Sequence, residues 1–370
     1  MSTPPAPSSA SAAREERVYT RETRQLSAQV AEQLAQQTRP VEAFWRERYE
    51  TQGGAHWDLF YKRHGDGFFK DRHYLSTEFQ HLLQPRRADN GDDGGNDGGN
   101  DGGEAARRLR VLEVGCGVGN TVFPLLRDAA RVGLAMRVDC CDYARTAVAL
   151  VRAHEDYAAL HARGDVEAHV ADLTSEADVA AMGVEGEIDV CSMVFVLSAI
   201  APHRWRDAVR HVASTLRVGG HVVLRDYARY DLAQLRFPNG RRIGDNYYVR
   251  GDKTLTYFYT LDEIEALMAG AGLSTVSSTY IEKDKVNRKE GTVMPRVWVQ
   301  GCFEKTADWE AVAEANAARA EAVAVAATPP APKPRSMGHI TIGLAERVIA
   351  ERKRKREAAA EEAAAEHETD

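Results

Sequence analysis

One short run, Glu113-Val114-Gly115-Cys116-Gly117-Val118-Gly119-Asn120, has the residue types to seat a small charged ligand against backbone. The apolar segment Leu109–Val114 runs straight into it, and a helical pattern follows. Glycines at alternate positions let the chain turn tightly and approach a ligand closely, which makes Gly115 and Gly117 candidate contacts. The spacing is GxGxG, and turns of this kind and of the GxGxxG kind both follow the first strand of nucleotide-binding sheets. Glu113 is the stronger cue: a carboxylate there repels a pyrophosphate and attracts a cationic sulfonium or ammonium. A second acid, Asp142, ends the next apolar segment roughly 20 residues on, where a carboxylate can accept both hydroxyls of a ribose. A third, Asp172, ends the segment after that, with Leu173 beside it, in reach of an adenine amino group. Each aspartate alone is equally readable as a helix cap. Acids at the carboxyl ends of three successive strands point instead to one ligand crevice. The cofactor that fits these charges is S-adenosylmethionine.

Such a crevice needs strands that end where the acids stand. Strand candidates are Leu109–Val114, Met136–Cys141, Val166–Ala171, Ile188–Val196, His221–Arg225, Thr275–Glu282 and Arg296–Cys302. The first five are apolar on both faces, as buried parallel strands are. Helical patterns at Thr121–Ala129, Ala144–Tyr157, His203–Leu216 and Asp262–Ala271 separate them. Strands alternating with helices predict an α/β, doubly wound, Rossmann-like sheet. Seven strands are expected, the last two pairing antiparallel at one edge.

Around this domain, at 109–304, lie segments of other textures. Residues 1–38, rich in Ser, Ala, Pro and Gln, are expected to be disordered. Residues 39–84 are packed with aromatics and charges, among them Phe44, Trp45, Trp57, Phe60, Tyr61, Phe68 and Phe69, and read as a helical lid and substrate-handling cap. Residues 85–108 carry the Gly/Asp/Asn run Asn90–Gly103, which buries too little apolar surface to offset its backbone entropy and reads as a flexible insertion. Residues 305–370 form an Ala/Glu-rich tail broken by prolines. Its stretch Ile340–Ala365 could be helical and carries Arg352-Lys353-Arg354-Lys355-Arg356, either a nuclear address or nucleic-acid contact, or a solvated helix face.

The 370 residues are 44% hydrophobic, enough for a full core, and the net charge of −7 argues against coating nucleic acid by bulk attraction. A local basic patch is still allowed. The five cysteines form no CxxC pair and read as free thiols of a reducing compartment. No apolar run approaches the roughly 20 residues of a membrane span. The N-terminus lacks an apolar signal stretch, and its arginines alternate with Glu15, Glu16 and Glu22, which supports a mitochondrial presequence only weakly. A cytoplasmic location is expected, with nucleus and mitochondrion open. No metal constellation is visible: His203 and His211 lack Cys or acidic partners at ligand spacing.

Seven segments, in this order, resemble the tRNA N3-methylcytidine methyltransferases. They are Phe68-Phe69-Lys70-Asp71-Arg72-His73, the loop Glu113 to Asn120, Phe195-Val196-Leu197-Ser198-Ala199-Ile200, Leu224-Arg225-Asp226-Tyr227, Ala233-Gln234-Leu235-Arg236-Phe237, Tyr248-Val249-Arg250-Gly251-Asp252 and Pro295-Arg296-Val297-Trp298. The likeness covers about 42 to 304. The glycine loop is general to class I methyltransferases; the first, third and fourth segments are particular to that family. The resemblance implies methylation of cytidine N3 at position 32 in the anticodon loop of a subset of tRNAs. It implies that Trp57 and Tyr61 close over the cofactor, and that Gly115, Asp142, Asp172, Leu173 and Val194 contact it. The family acts on serine, threonine or arginine tRNAs, some members with an aminoacyl-tRNA synthetase or other auxiliary partner. Thr121–Leu125 and Arg229–Gln234 lean towards the threonine/arginine type. Tyr74 stands where relatives often have Trp.

Cytosine N3 has an in-plane lone pair and is neutral near pH 7, so no base is needed to expose it, and alignment is the main task. The product ring is cationic, and a carboxylate nearby would stabilise the developing charge. Asp226, expected to face the crevice, is the candidate, with Tyr227 stacking or hydrogen-bonding and Arg72 beside them as the catalytic group. A structural partnership of Asp226 with Arg225 or Arg72 is the alternative. N3 lies on the Watson–Crick edge, so the base must be unpaired or turned out. Between 225 and 250, six arginines stand against three aspartates. Arg225, Arg236, Arg241, Arg242 and Arg250, with Lys70 and His73, are the expected tRNA-contacting surface. Two rival functions stay open: a class I methyltransferase acting on a small molecule or protein, and a non-catalytic partner subunit that kept the fold.

Overall fold

The computed structural model describes residues 17–20, 28–73, 78–79, 108–287, 292–307, 309–312 and 314–315. The chain opens with strand β1 (Arg17–Tyr19) and helices α1 (Ala28–Ala35), α2 (Ala43–Thr51) and α3 (Gly53–His64). Then come β2 (Leu109–Val114), α4 (Val122–Arg131), β3 (Met136–Asp142), α5 (Arg145–Arg152), α6 (Tyr157–Ala162), β4 (Val166–Val170), α7 (Glu176–Ala181) and β5 (Ile188–Val194). Helix α8 (Trp205–Thr215) leads directly into β6 (Leu216–Tyr227). A short helix α9 (Leu232–Leu235) precedes β7 (Arg242–Gly244), β8 (Tyr247–Val249) and β9 (Leu255–Tyr257). Helix α10 (Leu261–Gly270), β10 (Leu273–Asn287) and β11 (Thr292–Lys305) follow.

The main sheet has eight strands in the order β1-β10-β11-β6-β5-β2-β3-β4. Strands β6, β5, β2, β3 and β4 run parallel to their neighbours; β11, β10 and β1 are added antiparallel. The order reverses between β2 and β5, so the crevice of this fold lies above the ends of those two strands. Alternate residues of β2 feed the two cores. Leu109 and Val111 pack with Phe123, Met136 and Val148 on the α4–α5 side. Leu112 and Val114 pack with Ile188, Met193, Val209 and Ile264 on the α8–α10 side. Helix α10 begins in a capping box: the Thr260 hydroxyl accepts the Glu263 N–H and the Glu263 carboxylate accepts the Thr260 N–H.

Seven expected strands correspond to β2–β6, β10 and β11. The eighth, β1, pairs Arg17 with Glu282, so β10 is not the sheet edge and residues 17–20 and 28–35 are ordered elements within the stretch expected to be disordered. A separate three-stranded sheet, β7-β8-β9, is also new. Its strands have three residues each, too short for an alternating pattern to register. The helix expected over Ala144–Tyr157 stops at Arg152 as α5, and a second helix, α6, begins only at Tyr157. The Asn90–Gly103 insertion, Tyr74 and the Ile340–Ala365 stretch with its basic run lie outside the described residues. Among the described residues no helix is long and apolar enough to cross a membrane.

The cap packs on the sheet through α3, which buries His56, Phe60 and Tyr61. Phe60 and Tyr61 sit against Val118 of the glycine turn, Ala144 just before α5 and Ala147 within it. Asp58 accepts the Thr146 N–H at 2.8 Å, capping α5 from another element. Further on, the Arg72 N–H donates to the Asn120 carbonyl at 2.8 Å, and Asn120 Nδ2 donates to Asp71 at 3.2 Å. The 68–73 segment is thereby tied to the end of the glycine turn.

Candidate active site

Where the parallel strands reverse, two clefts meet. The first, about 550 Å³ with its open mouth, is lined by Trp57, Tyr61, Gly115, Asp142, Tyr143, Asp172, Leu173, Phe195 and Val196, among others. Gly115, Gly117 and Gly119 all take the left-handed conformation, at φ +60°, +55° and +88°. Close approach as well as φ excludes a side chain. A Cβ on Gly115 would lie 2.4 Å from Val196 Cγ2, and one on Gly117 would lie 2.8 Å from the Tyr61 hydroxyl. Six of the expected cofactor contacts, Trp57, Tyr61, Gly115, Asp142, Asp172 and Leu173, come together on this wall.

The acids divide their capacity between fold and ligand. Asp142 Oδ2 accepts the Gly117 N–H at 3.0 Å and Oδ1 accepts the Ala144 N–H at 2.9 Å. Each oxygen keeps a lone pair for a ribose hydroxyl. Burial pushes its pKa up to about 6, against the pull of those two N–H groups. Asp172 Oδ1 accepts the Thr174 N–H and hydroxyl, both at 2.8 Å. Neither aspartate is the N-cap of the helix that follows, since Ala144 and Ser175 hold those positions; each instead bonds the chain two residues on while lining the cleft. Glu113 is buried beneath the turn, and neither of its oxygens closes a well-formed hydrogen bond in the protein. Burial raises its pKa to about 7, while the Ser192 hydroxyl, the Arg72 charge and the Thr121 hydroxyl pull it down. Burial likewise raises the Tyr61 phenol, which stays neutral. A buried carboxylate beneath the turn, a backbone cradle and acids on the cleft wall fit a cationic nucleoside such as S-adenosylmethionine, although Glu113 itself lines neither cleft.

The second cleft, about 1260 Å³, opens from the first and shares Trp57, Tyr61, Gly115 and Phe195 with it. Aromatic rings of Phe195, Tyr227 and Trp298 line it together with Lys70, Arg72, Arg250 and Arg296. Arg250 stands 5.3 Å and Arg296 5.8 Å from the Tyr227 ring centroid, and Arg72 stands 5.6 Å from that of Phe195. Asp252 is the acidic side chain on its described wall. Val194 and Gly117, expected at the cofactor, line this second cleft.

Other expected residues lie elsewhere. Asp226 does not face the crevice: it is 0% exposed, behind the wall. Its Oδ2 accepts the Ser198 N–H at 2.9 Å and its Oδ1 the Tyr227 N–H at 2.8 Å, so its partner is neither Arg225 nor Arg72. Burial raises its pKa to about 6. Arg225, expected on the tRNA-facing surface, is buried instead. Its guanidinium is held by Glu78 at 2.5 Å and Gln300 at 2.6 Å. Arg241 donates to the Arg250 carbonyl, and Arg242 to the Gln37 carbonyl and the Asp245 carboxylate. Arg236 approaches the Met294 sulfur and His73 faces Asp128 at 3.8 Å; neither lines a cleft. Phe195, Tyr143, Asp252, Arg296 and Trp298 line the clefts without having been singled out as site residues, although four of them stand in the segments that carry the family resemblance. Phe195 has a further mark, φ +60°, a conformation that costs a bulky residue on the order of 1–3 kcal/mol.

A glycine turn after the first strand of a parallel sheet, an acid on the cleft wall after the second and a second cleft continuing from the first define a class I S-adenosylmethionine-dependent methyltransferase. A family model described as a methyltransferase domain matches residues 54–278. The chain is 38% identical over 281 residues to the tRNA N(3)-cytidine methyltransferase METTL2 of Xenopus tropicalis, covering 72% of this chain and 81% of that protein. It is 37% identical to METTL2 of Danio rerio, over 74% of this chain and 79% of that protein. It is 35% identical to the tRNA N(3)-cytidine methyltransferase METTL6 of Mus musculus, over 77% and 92%. The chain belongs to the tRNA N(3)-cytidine methyltransferase family.

Proposed function

We propose that this chain methylates N3 of cytidine in tRNA from S-adenosylmethionine, at position 32 of the anticodon loop in a subset of tRNAs. The observation that carries the reading is the junction of the two clefts. A nucleoside-shaped cofactor wall leads into an aromatic cleft bearing Lys70, Arg72, Arg250 and Arg296, which suits a flat base on a polyanionic chain. The cationic rim favours a polyanionic substrate over a neutral small molecule.

The cofactor supplies an electrophilic methyl group. The protein's own residues bind, orient and exclude water. Gly115 and Gly117 bring backbone against the cofactor, Asp142 holds its ribose, and Trp57 and Tyr61 close the wall it shares with the second cleft. Tyr227, flanked by Arg250 and Arg296, offers a face and a hydroxyl to the turned-out cytosine. Asp226 acts from behind the wall by fixing Tyr227 and Ser198. Because N3 already carries its lone pair, alignment supplies most of the acceleration.

The test is to map N3-methylcytidine in tRNA from cells lacking the protein. The expected result is loss of the modification at position 32 in some tRNAs. Unchanged maps would count against the reading. Repeating the reaction on purified tRNA with and without cell extract reads out any need for an auxiliary protein such as an aminoacyl-tRNA synthetase.

A further inference from the structure

We propose that Phe195 is the surface on which the target cytosine stacks, and that stacking displaces Arg72 from its ring. The proposal rests on the tRNA-cytidine function argued above. Strand β5 ends at Val194, so Phe195 stands at the point where the strand order reverses, and it lines both clefts. A methyl group crossing from cofactor to base passes this residue. Its neighbour Val196 lines the first cleft beside Gly115, whereas Phe195 lines both clefts.

The backbone carries the second argument. Phe195 sits at φ +60°, a region that favours glycine or asparagine over aromatic residues. Its N–H donates to the Arg225 carbonyl at 2.8 Å, which holds the turn. Packing alone does not require this. The ring is only partly buried, resting against the small cluster of Phe79, Val190, Val194, Val223 and Cys302. The disfavoured turn aims a π-face at the place where the two clefts join.

The surroundings give the third argument. The Tyr227 ring lies 4.8 Å away, tilted by 36°, and Trp298 lies 6.4 Å away, edge-on. Both rings line the second cleft with Phe195, so a base lying on Phe195 would have aromatic neighbours. Arg72 stands 5.6 Å from the Phe195 centroid, over the face a base would take. A neutral base displaces the guanidinium, and the phosphate that arrives with it gives the cation a new partner. Substrate entry thus exchanges one cation–π contact for a stack and an ion pair.

The experiment uses the full chain and three variants. Phe195→Asn keeps a residue that tolerates the left-handed turn but removes the ring. Phe195→Tyr keeps the ring. Phe195→Leu keeps apolar bulk without a π-face and serves if Phe195→Asn does not fold. The probe is an anticodon stem-loop with fluorescent pyrrolocytidine at the target position, alongside calorimetry with S-adenosylmethionine. Phe195→Asn and Phe195→Leu are expected to lower kcat about 10- to 100-fold, with cofactor affinity unchanged and KM for tRNA nearly so. Quenching of the probe on binding is expected in the wild type and Phe195→Tyr and is lost in the ringless variants. Near-normal turnover or retained quenching without the ring overturns the proposal. So does a loss of cofactor affinity that matches the loss of turnover. Failure of the underlying function shows separately, as wild-type enzyme that puts no methyl on tRNA cytidine.

Discussion

The carboxylate of Asp142 accepts the backbone N–H of Gly117 at 3.0 Å, so the acid that ends β3 also holds the glycine turn that follows β2. One side chain thus shapes the cofactor cradle and faces into it. Asp142→Ala removes the turn's anchor, the Ala144 N–H acceptor and the ribose contact together. The expected loss in S-adenosylmethionine affinity is about 10- to 100-fold, read by calorimetry, with a lowered melting temperature. A melting shift without an affinity loss would mean that Asp142 serves the fold alone.

Cofactor binding and stability should respond to pH in opposite directions. Asp142 at about 6 and Glu113 at about 7 are both raised by burial, and a cationic ligand favours their ionised forms. Affinity for S-adenosylmethionine is therefore present above about pH 7 and is lost as pH falls through 7 and 6. For the ligand-free protein the sign reverses. A carboxyl group raised on folding contributes stability that is fully present below its ordinary value and lost as pH rises through its folded value. Glu113→Gln should flatten the melting temperature's dependence on pH between 5 and 8. An unaltered slope would show that Glu113 titrates normally.

Asp226→Asn separates a charge role from a structural one. Both oxygens accept backbone N–H groups, so an amide turns one acceptor into a donor facing a donor. The expected cost is about 1–3 kcal/mol in folding stability. Turnover should fall through displacement of Tyr227, with cofactor affinity kept. If Asp226→Asn is as stable as the wild type yet inactive, the carboxylate acts on the base after all.

Lys70→Glu tests the cationic rim at a residue that lines the second cleft without serving the cofactor wall. Weaker tRNA binding is expected, with the slope of log affinity against log salt reduced by about 1. An unchanged slope would remove Lys70 from the phosphate path. Arg242 is a poorer probe because it holds Gln37 and Asp245.

The sequence made the parallel sheet and the cofactor wall readable for a physical reason. Strands buried on both faces are near-continuous apolar runs, and the ligand acids stand where those runs stop. What was hidden depends on contacts far apart in the chain. Asp226 also stands near a strand end, but only the fold shows that Ser198 and Tyr227 N–H groups use up its carboxylate. Arg225 looked like a surface cation until Glu78 and Gln300 closed on it. Strands β7, β8 and β9 are too short to show a period, and the left-handed turn at Phe195 has no glycine to announce it. Of the arginines that charge counting picked out over 225–250, Arg250 lines the second cleft, while Arg225, Arg241 and Arg242 bond within the protein.

The proposed reaction places the methyl group on cytidine N3 of tRNA. Its most direct measurement is to incubate the purified full chain with methyl-labelled S-adenosylmethionine and total tRNA, digest to nucleosides and resolve the label by chromatography. Label is expected in N3-methylcytidine. Label in another nucleoside, or in protein or small molecules with none in tRNA, would contradict it.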